Sequence, residues 1–190
     1  MVKSENIFSI NEKEIMDFYG FNGVFGKFRI KGKLLRSWIL HSLAYSSPHP
    51  GFIVNMQRSR GVKIGENCHI SPYVMLDLIY PQLITIENNV GIGSNTMIFT
   101  HVNPSANLFL KQKHYPRKIE SVTIKSGAWI NPGCIIGPGV TIGKNSVLSV
   151  GSVVTSSIPD NYVVGGNPAR PIKKLEWIDS MIKWAKTLLT

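Results

Sequence analysis

Cysteine is scarce in this chain, with two residues in 190, Cys68 and Cys134. That excludes a disulfide scaffold and a four-cysteine zinc module, and it predicts reduced thiols. Charged residues are also few, at 17%, yet apolar residues reach 43%, which excludes an intrinsically disordered chain. No apolar run approaches the roughly 18 residues of a membrane span. Met1 to Asn6 carries an acid and lacks the apolar stretch of a signal peptide, so a soluble, cytoplasmic protein is expected. Acid is scarce as well: 11 acidic against 21 basic residues leave a net charge of +10. Between Phe18 and Gly65 there is no acid at all, against Lys27, Arg29, Lys31, Lys33, Arg36, Arg58, Arg60 and Lys63. Such a field favours an anionic partner without choosing among nucleic acid, phospholipid and phosphate.

What the chain has in abundance is a repeat. From Ile124 aliphatic residues recur every six positions, at Ile124, Ile130, Ile136, Ile142, Leu148 and Val154. The same spacing gives Ile64, Ile70 and Leu76, and again Ile86, Ile92 and Ile98. Small residues follow four positions later, as at Ala128, Cys134, Val140, Ser146 and Ser152, so both cysteines are expected in the core. Gly65, Gly93, Gly137 and Gly143 directly follow an aliphatic residue, where backbone freedom for a turn is expected. A period of six matches neither a helix nor a continuing strand. It matches short strands and tight turns wound into a parallel β-helix, at three hexapeptides and about 18 residues per coil. About four coils are expected.

Two breaks interrupt the repeat. Leu76 to Ile86 is too long by about four residues near Tyr80-Pro81-Gln82, and an excursion over 102–121 separates Ile98 from Ile124. Outside the repeat, residues 1–60 form a basic, partly helical segment. Ser9 to Glu12 has capping-box spacing for a helix near 10–19, Leu34 to Ala44 predicts a second with Leu35, Trp38, Ile39 and Leu43 on one stripe, and 46–51 reads as a loop. The coils occupy 61–170, and Leu175, Ile178, Ile182, Ala185 and Leu189 predict a C-terminal helix over 171–190.

Three stretches carry a resemblance: Ile92-Gly93-Ser94-Asn95-Thr96-Met97-Ile98-Phe99-Thr100-His101, Ala128-Trp129-Ile130 with Pro138-Gly139-Val140-Thr141-Ile142-Gly143, and Val164-Gly165-Gly166-Asn167-Pro168-Ala169-Arg170. They resemble the hexapeptide-repeat, or isoleucine-patch, acyltransferases, in particular the sugar O-acetyltransferases of the maltose and galactoside type. The resemblance covers about Ile64 to Lys173. It implies a mainly β protein with a left-handed parallel β-helix, a homotrimer with active sites between subunits, and acetyl-CoA as co-substrate.

Acetyl transfer to a hydroxyl needs a base near neutral pKa, and histidine supplies one. His101 matches the family's catalytic histidine and stands where the long excursion begins. The resemblance implies Asp77, Asn103 and Trp129 as acceptor contacts, with Asp77 near His101 of an adjoining chain to orient its ring or to bind a sugar hydroxyl. It implies Trp129, Asn131, Gly133, Ser149, Val150, Thr155, Pro168 and Ala169 along the coenzyme, and Arg170 and Lys173 for its phosphates. Pro132 has no N–H for a developing oxyanion, which turns attention to Asn131 or Gly133. His41, His49 and His69 are expected to be structural, whereas His114 in the basic excursion is a weaker substrate contact. No metal is expected, since the paired histidines of a zinc-binding β-helix are missing.

Three functions remain open on the sequence: an O-acetyltransferase acting on a sugar or a polysaccharide or lipooligosaccharide precursor, an N-acyltransferase acting on a nucleotide-sugar amine, and a non-catalytic trimeric scaffold. The basic segment with Phe28, Ile30, Leu34, Leu35, Trp38 and Ile39 adds an expected peripheral contact with the inner membrane surface. No nucleic-acid recognition motif is present.

Overall fold

The computed structural model describes residues 6–176. Three helices lead: α1 (Ile7–Phe18), α2 (Gly23–Tyr45) and α3 (Pro50–Arg60). Helix α1 starts earlier than the capping-box spacing predicts, because Asn6 caps it by accepting from Phe8 N at 3.0 Å. Helix α2 is far longer than 34–44, and its buried residues are Gly26, Ile30, Ser37, His41 and Ala44. The predicted stripe of Leu35, Trp38, Ile39 and Leu43 lies outside. Helix α3 is absent from the sequence reading although its ends are well marked, with Pro50 in the first turn and Gly61 left-handed at φ 107°. At the α1–α2 crossing a Cβ on Gly26 would stand 3.0–3.1 Å from Phe21 and Met16, closer than side chains ordinarily pack, so glycine suits this approach.

The strands follow in order. The first turn of the coil holds β1 (Lys63–Ile64), β2 (His69–Ile70) and β3 (Met75–Leu76), and the second holds β4 (Ile84–Ile86), β5 (Gly91–Ile92) and β6 (Met97–Ile98). The excursion then forms β7 (His101–Val102), α4 (Leu108–Lys113) and β8 (Lys118–Ile119). The coil resumes with β9 (Val122–Ile124), β10 (Trp129–Ile130) and β11 (Ile135–Ile136), then β12 (Thr141–Ile142), β13 (Val147–Leu148) and β14 (Val153–Val154). It ends in β15 (Tyr162–Gly166) and β16 (Ala169–Lys174).

These strands build three parallel faces: β1-β4-β9-β12, β2-β5-β10-β13-β15 and β3-β6-β11-β14. The register stacks like on like, with Ile64, Ile86, Ile124 and Ile142 in one column, Ile70, Ile92, Ile130, Leu148 and Val164 in the second, and Leu76, Ile98, Ile136 and Val154 in the third. All but Ile64 are at most 1% exposed, each burial contributing about 1.5–3 kcal/mol. Helices α2 and α3 close the first-turn end, where Ala44, Ile53 and Val54 join the same core.

The corners differ from the sequence reading. Gly65, Gly93 and Gly143 do not have positive φ; instead, a Cβ there would stand 2.3–2.6 Å from atoms of the neighbouring turn. The left-handed corner is the third residue after nine of the aliphatic ones: Asn67, Tyr73, Asn89, Asn95, Gly127, Gly133, Gly139, Asn145 and Gly151. Glycine and asparagine are the residues that enter this region at least cost. The excursion is also ordered, as an antiparallel ribbon pairing His101 with Ile119 around α4, and no structureless loop is needed. At the far end β16 folds back antiparallel on β15, so residues 171–174 are strand where a helix was expected. The rest of that expected helix, from Ile178 to Leu189, lies outside the described residues.

Candidate active site

Both breaks in the repeat leave from the same corner of consecutive turns. Leu76 and Ile98 are register partners on β3 and β6, so the residues just beyond them, Asp77 and Phe99 to His101, are brought side by side. Asp77 Oδ2 lies 2.6 Å from His101 Nδ1 within one chain. Asp77 therefore meets its own chain's His101, and the expectation of an adjoining chain's histidine is corrected. Its side chain is 0% exposed against 20% for the imidazole. The carboxylate also accepts from Ile79 N (2.9 Å), Tyr80 N (3.0 Å), Thr100 N (2.9 Å) and Thr100 Oγ1 (2.9 Å). Burial alone would raise its pKa; the hydrogen bond and charge of His101, then the N–H groups of Thr100 and Tyr80, outweigh burial and hold it at about 2. Asp77 is thus an ionised, enclosed partner of the ring and offers no free oxygen to an acceptor.

Residues the sequence did not single out support the pair. Tyr80 is fully buried and sets its ring edge-on to His101 at 5.3 Å. Its hydroxyl accepts from Arg117 Nη1 at 2.8 Å, and Glu14 Oε2 lies 2.7 Å from both Arg117 Nε and Lys111 Nζ. From the other side the buried Arg60 donates to the Asp77 carbonyl at 2.6 Å and to Leu76 O at 3.3 Å. Ser37 Oγ, Gln57 Oε1 and His41 Nδ1 take its remaining donors. Burial, then the nearby guanidinium, lowers the His41 pKa to about 4, so it stays a neutral acceptor. Tyr80 was legible in part, as the large residue in the bulge; Arg60 gave no signal beyond its place in a basic run.

The excursion's basic residues divide. Lys111 and Arg117 are spent on Glu14, and Asn103 donates its Nδ2 to Asn11 Oδ1 (3.1 Å) and accepts at Oδ1 from Lys111 Nζ (2.6 Å). Asn103 and His114 nonetheless line a cleft of about 690 Å³ with Tyr115 and Lys118. That cleft begins one residue beyond the imidazole. A smaller cavity of about 170 Å³, with Met75, Leu78 and Phe99, includes His101 and Asp77.

The other sequence-selected residues gather on the later turns. Trp129, Val147, Val163 and Lys173 are successive register partners on one outer face, and Trp129 is 57% exposed. Val150, Thr155, Pro168 and Arg170 are exposed, and Ser149 is half-buried. Ala169 is buried, so its methyl group faces no ligand, while its carbonyl accepts from Arg170 Nη1 at 3.0 Å. Asn131 N donates to Leu148 O (3.1 Å) and Gly133 N to Ser94 O (2.9 Å). Both N–H groups considered for the oxyanion are thus consumed by the coil. One chain does not unite Trp129 with His101: the first lies on the β5-β10-β13 face, the second where the β3-β6 face ends. Cys134 is buried and its thiol pKa is pushed up by burial, while Cys68 is only half-buried. Among the described residues no group of three His, Cys, Asp or Glu side chains is placed to hold a metal ion.

Comparison with known proteins bears on the family. Residues 121–156 match the bacterial transferase hexapeptide model of six repeats. The chain is 35% identical over 133 residues to the galactoside O-acetyltransferase of Lactococcus lactis, covering 60% of this chain but only 63% of that enzyme, less than two thirds. It is 37% identical over 131 residues to protein CapG of Staphylococcus aureus, covering 66% of this chain and 73% of CapG. A solved galactoside acetyltransferase in complex with coenzyme A superposes with TM-score 0.59 at 28% identity, over 80% of this chain and 84% of that one. Repeat and relatives converge: the chain belongs to the hexapeptide-repeat acyltransferases.

Proposed function

We propose that the chain transfers an acetyl group from acetyl-CoA to a hydroxyl of a sugar or of a polysaccharide or lipooligosaccharide precursor. The observation that carries this is the buried Asp77 carboxylate 2.6 Å from His101 Nδ1. An ionised Asp77 must accept, so the proton sits on Nδ1 and the neutral ring keeps its lone pair at Nε2. A hydroxyl presented to Nε2 loses its proton there as its oxygen attacks the thioester carbonyl; the C–S bond then breaks and the imidazolium returns the proton to the departing thiolate. Asp77 stabilises the imidazolium, and Tyr80 keeps the ring from turning. Bound acetyl-CoA supplies the activated acyl group. The outward-facing row led by the exposed Trp129 fits its extended arm, and Arg170 and Lys173 fit its phosphates. A buried, poorly ionising Cys134 favours direct transfer over an acyl-enzyme.

Because His101 and Trp129 stand on different faces of one chain, a site with both needs a second copy. A left-handed homotrimer, as the family implies, supplies it. The decisive experiment pairs turnover with calorimetry. His101→Ala should lose about 10²–10⁴ in kcat while still binding acetyl-CoA, and Arg170→Ala should weaken that binding. Undiminished turnover in His101→Ala would end the general-base assignment, and no saturable acetyl-CoA binding by the wild type would favour the scaffold.

A further inference from the structure

Helix α2 has two opposed faces. Gly26, Ile30, Ser37, His41 and Ala44 are turned into the chain. At about 100° per residue, Val24, Phe28, Leu35, Ile39 and Leu43 fall on the opposite side, and all five are exposed. Phe25, 83% exposed, widens this stripe. Lys27 and Lys31 flank one edge, and Arg29, Lys33 and Arg36 the other; the helix contains no acid. Lys27 reaches Glu12 at 3.0 Å, whereas Arg29, Lys31 and Arg36 point their charge outward with the apolar stripe between them. No described helix is long and apolar enough to cross a membrane, so this one would lie along a surface.

We propose that the outer face of α2 docks on an anionic lipid bilayer. Apolar side chains sink between the headgroups while flanking cations meet lipid phosphates, their methylene stems covering apolar surface. A second copy of the chain is the poorer occupant, since it would bring two acid-free basic helices together. The placement also has a consequence for the acceptor. Trp38 and Tyr45 line a groove of about 300 Å³ with Met75 and Leu78, and these last two also wall the cavity holding His101. A bilayer-seated chain would thus turn the base toward an acceptor carried on a lipid. That consequence rests on His101 as the base; the docking does not.

The test is flotation of the full-length protein with vesicles at low salt, comparing phosphatidylglycerol–phosphatidylcholine mixtures with pure phosphatidylcholine. Binding to the anionic vesicles should be stronger by about tenfold or more. The triple change Phe28→Ser, Leu35→Ser, Ile39→Ser should weaken it by about tenfold or more, and Arg29→Glu, Lys31→Glu, Arg36→Glu should abolish the preference for anionic lipid. Thermal unfolding and acetyl-CoA binding, followed in the same samples, should not change. Failure of the wild type to float, or flotation indifferent to the serine changes, overturns the proposal. So does an assembly that falls apart when those serines are introduced, which would make the face a contact between copies. Loss of acetyl-CoA binding by the wild type with flotation intact would instead strike only the enzymatic reading.

Discussion

The third and fourth turns of the coil and the first and second share a period but not a task. From Val122 to Val154 nothing interrupts the hexapeptides, and the outer face carries the exposed Trp129 beside the half-buried Val147, continued by Val163 on β15. From Lys63 to Ile98 the same period is broken twice at one corner, and Asp77, Tyr80, Thr100 and His101 collect there. The regular turns display a surface; the broken turns enclose a site. Enclosure needs extra chain, and the bulge, the excursion and the three helices supply it.

The sharpest way to break this comparison is to neutralise the enclosed carboxylate. Asp77→Asn keeps the shape but presents an amide to Nδ1, which favours the wrong tautomer and removes the charge that faces the imidazolium. A fall in kcat of about 10²–10⁴ is expected, with KM for acetyl-CoA nearly unchanged because the residues proposed for the coenzyme lie on other turns. A drop confined to KM would mean that the two regions are not separate in function. Since Asp77 titrates at about 2, the acid limb of activity in the wild type should not be its own.

A smaller effect tests the helical side of the enclosure. His41 is buried against Arg60, with a folded pKa of about 4 below the ordinary 6.5. A histidine held neutral stabilises the fold above its unfolded pKa, and that contribution is lost as pH falls from about 6.5 toward 4. Between pH 7 and pH 5 the unfolding free energy from urea titration should fall by about 2 kcal/mol on this account. His41→Gln should flatten that slope. An unchanged slope would show that the buried guanidinium network does not register the proton.

How much was legible follows the same division. The columns from Ile64 to Val154 could be read because inward burial repeats every six residues, and no distant contact is needed to see it. His101 was legible as the histidine at a break, and Asp77 as its neighbour, but not their pairing within one chain, which depends on Leu76 and Ile98 being register partners. Arg60 and Glu14 act across the fold from helices, so spacing carries no trace of them. Helix α2 misled for a physical reason: its longest apolar stripe faces out, and its inner face includes Gly26, Ser37 and His41, which hydropathy does not mark as core.

The smallest effect concerns a signal that was present and unread, the glycine or asparagine found three residues after most of the aliphatic ones. Asn95 is an exposed corner of this kind, at φ 60°. If its role is conformational, Asn95→Gly should leave stability within about 0.5 kcal/mol, whereas Asn95→Ala should cost about 1–2 kcal/mol because a Cβ without a compensating polar group disfavours the left-handed region. Thermal unfolding of the two variants side by side separates these cases. Equal losses would assign the corner to a side-chain contact, and regular and broken turns would then differ in more than the two insertions. Unequal losses in the expected order would leave the backbone angle as the rule for regular corners. His101, which occupies the equivalent place after Ile98 without a positive φ, is released from that rule into β7, where its ring can serve chemistry.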